Sequence, residues 1–211
     1  MKFPFGTTLA IAHRGAHDAQ HPENSLLAIE HAIRLGAAAV EFDAWSLGRG
    51  RLVVAHDPPP ESTGAAIEPF LEAIARSAVL LNVDWKGPED EDRVGPLLAS
   101  YGLVDRTIVS ADHPRPLRVI KQSTPQLTTG LSWEAELSPD QVSALLREAQ
   151  ADALMLDYHI VTPAIATAVR AAGAGLFFWT VADTATFGSL RRFAPDGIAT
   201  DAIAEQLRAI R

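Results

Sequence analysis

The sequence predicts an α/β protein built as a single parallel (β/α)8 TIM barrel spanning residues 1–211. Three observations lead there. Short apolar runs alternate with longer segments of helical period, the pattern of βα units and a parallel sheet. About eight such units fit into 211 residues, near the low end for this barrel. Polar residues with useful chemistry follow the apolar runs directly, at the strand ends where barrel enzymes keep their active sites.

In chain order the strand candidates are Thr8–Ala12, Ala38–Phe42, Leu52–Ala55, Val79–Val83, Thr107–Val109, Gln126–Gly130, Ala153–Leu156, Gly175–Thr180 and Gly197–Ala199. That is one strand more than the barrel needs. The first helix candidate is Asn24–Leu35, with Asn24 placed as its N-cap and Gly36 as its stop. Further helices are predicted over Glu68–Ser77, Asp90–Tyr101, Pro114–Lys121, Pro139–Gln150, Pro163–Ala172, Thr184–Phe193 and Ala202–Ile210. Only Ala44–Gly50 separates Asp43 from the strand that follows, whereas a parallel crossover usually needs a dozen residues or more. Seven extended residues reach ~23 Å, so the expectation is a return down the strand without a helix. Pro58-Pro59-Pro60 reads as a local loop, not a domain boundary.

Composition narrows the function classes. Apolar residues make up 47% and charged residues 21%, as in an ordinary globular protein. With no cysteine, disulfides, zinc–thiolate sites and thiol catalysis are excluded. A net charge of −8 argues against a nucleic-acid surface and against docking on anionic membranes. No apolar run approaches the ~20 residues of a membrane span. Residues Met1–Gly6 lead straight into a strand-like segment without a signal-peptide core, which reads as a cytoplasmic protein.

The chemistry starts with Glu41 and Asp43. Two apart in a strand, they share one face, and Val40 and Phe42 share the other. If the apolar pair meets the helices, the carboxylates point into the barrel. There they repel and lose hydration unless compensated, and a hard divalent cation with oxygen ligands would compensate them. The alternative is a pair of solvated acids at a strand end. Asn82, Asp84 and Lys86 likewise share a face, so Asp84 offers a third acid and Lys86 a cation for an anionic substrate. A plain Asp84–Lys86 ion pair would explain that segment equally. His13 and His56 each follow an apolar strand and could act as general acid and base, although a strand-end histidine can be purely structural. His17, His21, His31, His113 and His159 lack a comparable setting and read as surface or supporting residues.

Together these residues form recognisable motifs. Ala12-His13-Arg14-Gly15, Pro22-Glu23-Asn24-Ser25, Glu41-Phe42-Asp43 and Val54-Ala55-His56-Asp57 resemble those of the glycerophosphodiester phosphodiesterase family in order and approximate spacing. Trp179-Thr180-Val181 and Asp196–Asp201 look like its C-terminal motifs. The resemblance implies a (β/α)8 barrel that hydrolyses glycerophosphodiesters to glycerol 3-phosphate and an alcohol, with one divalent cation, Mg²⁺ or Ca²⁺. By position it implies His13 and His56 as the acid/base pair, and Glu41, Asp43 and Asp84 as metal ligands. It implies Arg14 and Lys86 on the phosphate, Glu23 at or near the site, and Trp179 lining the substrate pocket. It also favours a two-step route through a cyclic phosphate.

Three departures from that family stand out. Asp84 replaces the usual Glu. Only 27 residues separate His56 from Asp84, too few for the family's full inserted subdomain, so the barrel is slightly trimmed. The usual Thr-x-Asp-Gly turn gives way to Trp45–Gly50. The Asp-x-Lys strand and the short insertion are also similar to the sphingomyelinase D-like phospholipases. A lipid-headgroup phosphodiesterase acting on lysophospholipids or sphingolipids is therefore the alternative; it would need an apolar rim at Trp45–Leu47 or the proline loop. A catalytically silent barrel that binds phosphorylated ligands is the second alternative, but it would have no use for two histidines beside three acids. The expected partner is a small-molecule phosphodiester, with no nucleic acid and no stable membrane insertion.

Overall fold

The computed structural model describes residues 5–60 and 64–209. The ends of the predicted 1–211 domain, and the end of the last predicted helix at Ile210, lie outside them. Ten strands form one sheet among the described residues: β1 Leu9–Ala12, β2 Ala39–Ser46, β3 Leu52–Val54, β4 Ala65–Ala66, β5 Leu80–Trp85, β6 Thr107–Ala111, β7 Thr128–Trp133, β8 Ala153–Asp157, β9 Gly175–Val181 and β10 Gly197–Thr200. Eight of them, β1, β2 and β5 to β10, pair in parallel, and β1 pairs with both β10 and β2 to close the barrel. Among the described residues eight α-helices flank it: α1 Leu26–Leu35, α2 Glu68–Ala75, α3 Glu91–Ser100, α4 Pro114–Ser123, α5 Pro139–Ala149, α6 Pro163–Ala171, α7 Thr184–Leu190 and α8 Ile203–Ala209. No described helix is long and apolar enough to cross a membrane.

The strand outside the barrel is β3, and its direction differs from expectation. β2 does not stop at Phe42 but runs on to Ser46, beyond the barrel rim. β3 then returns antiparallel beside it, pairing Ser46 with Leu52 and Ala44 with Val54. The connection is therefore a hairpin and not a parallel return, which is why so few residues suffice. The two-residue β4 extends this flap, and α2 completes the crossover to β5.

Period-2 alternation sorts the strand residues into two apolar layers. Val40, Phe42, Leu81, Val83, Val109 and Phe178 are among those packed outward against the helices. Ile11, Ala39, Leu80, Ile108, Met155 and Phe177 fill the barrel interior. The interior positions one repeat higher are polar, and they make the site. Helix starts follow local chemistry. Pro114, Pro139 and Pro163 each open a helix, with an extended residue before them. Ser138 and Gln141 form a capping box on α5. Asn24 is not the N-cap of α1: Ser25 is, accepting from the Ala28 N–H. Gly36 ends the helix in the left-handed region, as expected.

The β1–α1 connection carries several site residues and depends on Gly15. Its φ is +84°, and a Cβ there would meet the Ala28 backbone carbonyl carbon at 2.6 Å. Gly15→Ala is expected to cost about 2–4 kcal/mol, from left-handed strain plus overpacking. Because the obstacle is backbone, adding Ala28→Gly should not restore stability; denaturant midpoints of the two variants check both statements.

Candidate active site

A cavity of about 440 Å³ opens at the C-terminal ends of the barrel strands. At its floor the register places Glu41 beside Asn82, and Asp43 beside Asp84. Asp84 in turn neighbours Ser110. Glu41, Asp43 and Asp84 can each offer an oxygen such that all three lie within 4.8 Å of one another. Glu41 and Asp43 are buried, at 4% and 2% exposure. Burial pushes the Glu41 carboxyl up from 4.5 to about 8; the neighbouring Asp43 and Asp84 add to this, while His13 opposes it.

Each carboxylate of this group has a partner. Lys86 Nζ sits 2.5 Å from Asp84 and 3.5 Å from Asp43. Ser110 Oγ donates to the other Asp84 oxygen at 2.7 Å, and Asn82 holds Ser110 at 2.9 Å. The Arg14 backbone N–H donates to Glu41 at 2.7 Å. Burial disfavours the charge on Lys86, but Asp84 and then Asp43 outweigh it and raise its pKa. Arg14 reaches Glu23 at 3.1 Å, and its Nε lies 3.1 Å from Asp43. That contact is a charge contact only: the buried Nε–H points along no hydrogen bond. The donor set is oxygen alone, converging and anionic, which fits a hard divalent cation such as Mg²⁺ or Ca²⁺.

His13 tops β1. Its Nδ1 lies 2.7 Å from Asp201, and His17 reaches the same oxygen at 3.2 Å. Its Nε2 lies 3.4 Å from Thr180 Oγ1 and 4.0 Å from Glu41. Burial lowers the imidazole pKa, yet the Asp201 hydrogen bond and the Glu41 and Asp201 charges prevail and raise it. Burial acts to raise Asp201, but its bonds to His13 and His17 hold it below the usual range. His56 arrives differently. It follows β3, which is no barrel strand. Because β2 overshoots the rim, the descending β3 sets His56 back at the mouth, next to the Ala55 N–H that donates to Asp43 O. Its side chain is 44% exposed and lines the same cavity.

The cavity thus unites His13, His56, Glu41, Asp43, Asp84, Arg14, Lys86 and Trp179 in its lining. Glu23 stands one step back, touching Arg14. Trp179 is fixed by its indole N–H, which donates to Met155 O at 2.9 Å. Asn24, which does not cap α1, serves the site instead. At φ +54° it clamps Asp43 from both sides, its amide donating to Oδ2 at 2.8 Å and its carbonyl accepting the Asp43 N–H at 3.0 Å. Asp201 and Ser110 also lie at strand ends, and sequence reasoning gave neither a part in the site. His113, read as a surface or supporting residue, lines the cavity, as do Asp112, Trp133 and Glu134, which no motif singled out.

Comparison with known proteins identifies the family. The glycerophosphoryl diester phosphodiesterase family profile matches residues 13–68 and 62–205. A glycerophosphodiester phosphodiesterase from Caldanaerobacter subterraneus is 28% identical, over 92% of this chain and 94% of the relative. The structure of a glycerophosphodiester phosphodiesterase from Parabacteroides distasonis superposes with a TM-score of 0.80 at 22% identity, covering 98% of both chains. A phosphodiesterase from Oleispira antarctica, solved in complex with the product sn-glycerol-3-phosphate, gives 0.79 at 21% identity over 97% of both chains. On the fold, the ordered motifs and this match across nearly its whole length, the chain belongs to the glycerophosphoryl diester phosphodiesterase family and is a phosphoric diester hydrolase.

Proposed function

We propose that this enzyme, as one unit over residues 1–211, hydrolyses glycerophosphodiesters to glycerol 3-phosphate and an alcohol, with His13 and His56 moving the protons. The observation that carries this reading is the convergence of Glu41, Asp43 and Asp84 on one point of a cavity that both histidines line. The product bound to the Oleispira relative supports the glycerol 3-phosphate half.

Glu41, Asp43 and Asp84 would hold the divalent cation, which when bound supplies polarisation of a phosphoryl oxygen. Lys86 and Arg14 orient the anionic phosphate. Asp201 fixes the His13 tautomer by accepting from Nδ1, which leaves Nε2 as the working nitrogen. One histidine takes the proton of the attacking oxygen, and the other gives a proton to the leaving alcohol. A neighbouring substrate hydroxyl as attacker, giving a cyclic phosphate first, is consistent with this division. The lipid-headgroup alternative gains no support. The exposed large hydrophobics among the described residues are Phe5 and Leu27, and neither lines the cavity.

His13→Ala and His56→Ala should each lower kcat by at least about 10² while leaving the circular dichroism spectrum and melting transition near wild type. Near-normal turnover by either variant would remove that residue from the proton-transfer scheme.

Metal removal joins activity to pH. EDTA should abolish hydrolysis, and Mg²⁺, Mn²⁺ or Ca²⁺ should restore it. In the metal-free protein the Glu41 pKa is raised on folding, so the protonated carboxyl favours the fold. That contribution is complete below about 4.5 and is lost as pH rises through about 8. The metal-free melting temperature should therefore fall across this window, and saturating cation should reverse the fall. Glu41→Gln should flatten the profile; an equally steep decline in that variant would clear Glu41 of the effect.

Asp84 is expected to be essential even though it is the family's atypical residue. Asp84→Asn should weaken cation binding in calorimetry and nearly abolish turnover, whereas Asp84→Glu should keep a measurable fraction. If Asp84→Asn binds cation and turns over normally, Asp84 serves only Lys86 and Ser110.

A further inference from the structure

Asp90 sits at the N-cap of α3 but does not serve it. Its backbone is left-handed at φ +61°, and among the described residues its carboxylate caps no N–H of the first turn. An aspartate in this position ordinarily spends its side chain on those amides. Here the β2–β3 hairpin takes it instead. Asp90 Oδ2 accepts from Ser46 Oγ at 2.6 Å and from the Gly50 N–H at 3.0 Å. These two residues flank the turn: Ser46 ends β2, and Gly50 stands two residues before β3. Ser46 Oγ also accepts the Gly48 N–H at 2.9 Å, and the Leu47 N–H closes the turn onto Arg51 O at 2.9 Å. Arg93 Nε holds the other carboxylate oxygen at 3.0 Å. The Ser46 bond, opposed by burial and joined by Gly50 and Arg93, keeps Asp90 below the usual carboxylate range. It is therefore a charged acceptor, the stronger kind. The β5–α3 connection also presses close at this point: a Cβ on Gly87 would meet the Ser46 backbone nitrogen at 2.7 Å.

What the hairpin carries is His56. From the Ser46–Leu52 pair the register runs through Trp45–Val53 to Ala44–Val54. The Ala55 N–H then donates to Asp43 O at 3.2 Å, and the Trp45 indole N–H to His56 O at 3.1 Å. All of these contacts keep step with the first pair, so the turn decides where His56 comes to rest. The outer side of the flap offers little help, since β4 is two exposed residues. The far end of the tether belongs to the site as well. Asp90 follows Lys86 by four residues, and the Lys86 N–H donates to Ala44 O at 2.9 Å, which extends the β2–β5 pairing into the flap. The strand that brings Asp84 and Lys86 thus also reaches, through Asp90, the hairpin that brings His56.

We propose that Asp90 is a positioning residue for His56: by gripping the β2–β3 turn it keeps the imidazole at the mouth of the cavity. The proposal rests on the reading of His56 as one of the proton-transfer pair and names what holds it there.

The test is kinetic and structural together, with a glycerophosphodiester and saturating Mg²⁺. Asp90→Ala should lower kcat about ten-fold with KM nearly unchanged, because Arg14 and Lys86 still meet the phosphate and only the proton-transfer geometry loosens. Asp90→Asn keeps an oxygen for Ser46 and Gly50 and tolerates the left-handed backbone, so it should retain most of the rate. In a His56→Ala background the effect of Asp90→Ala should vanish, since no imidazole is left to position; a loss through general stability would persist there. Independently of turnover, hydrogen exchange at the Ala55 amide should quicken in Asp90→Ala by about ten-fold, the scale of a lost hydrogen bond, while β6–β10 stay as protected as in wild type. Should Asp90→Ala not fold, Ser46→Ala removes one of the two donors, leaves the α3 backbone alone, and is judged by the same criteria. An unchanged kcat in Asp90→Ala, an Asp90→Asn variant equally impaired, or an undiminished loss in the His56→Ala background would overturn the proposal. If the wild type hydrolyses no glycerophosphodiester, the proposed function falls and the tether does not; exchange at Ala55 then decides it, and an unchanged rate would end it.

Discussion

Three carboxylates held together inside a protein are the constraint that the rest of this structure serves. Unpaired, each would cost several kcal/mol in lost hydration, and their mutual repulsion would add to that. The surrounding residues read as answers to it. Lys86 bridges Asp84 and Asp43. Asn24 clamps Asp43, Ser110 anchors Asp84, and the Arg14 amide supports Glu41. Even so, Glu41 remains disposed to keep its proton. The divalent cation proposed for this site would offset that remaining cost.

The chain achieves this with little more than strand alternation. The residues of β2 and β5 that face the helices are apolar and large, and they tie the strands to the outer layer. The same alternation obliges Glu41, Asp43, Asn82 and Asp84 to point inward. Lower in the barrel the inward positions are filled by Ile11, Leu80, Ile108 and Phe177, which exclude water from beneath the acids. Stability and reactivity therefore share one register: a one-residue slip of β2 or β5 would exchange core for charge and lose both.

Much of this was legible in the chain itself, because period and position are sequence properties. The eight barrel strands, the inward acids and the placement of His13 follow from alternation and strand ends. What was hidden depends on contacts between distant segments. The N-cap of α1 lies one residue beyond Asn24, because Asn24 is drawn away by Asp43, 19 residues ahead. Asp201 gains its part only where β10 returns beside β1, 188 residues from His13. The hairpin direction of β3 was missed because the extent of β2 beyond Phe42 is set by pairing, not by composition. Asp112, His113 and Glu134 look like ordinary loop residues until the barrel closes and sets them on the rim of a cavity.

The overshoot of β2 has an energetic corollary. His13 is embedded in a closed ring of parallel strands, where exposing it requires breaking the barrel. His56 instead hangs from a three-stranded flap whose outermost strand has two residues and whose own edge ends in solvent. Such appendages open locally at far smaller free energy than the global unfolding of the protein that carries them. The proposed acid–base pair thus straddles two levels of cooperativity: one partner is as durable as the whole molecule, and the other is available only while the flap stays folded. Operating lifetime and folding stability are then separate quantities, and changes within Arg51–Asp57 could tune the first without touching the second.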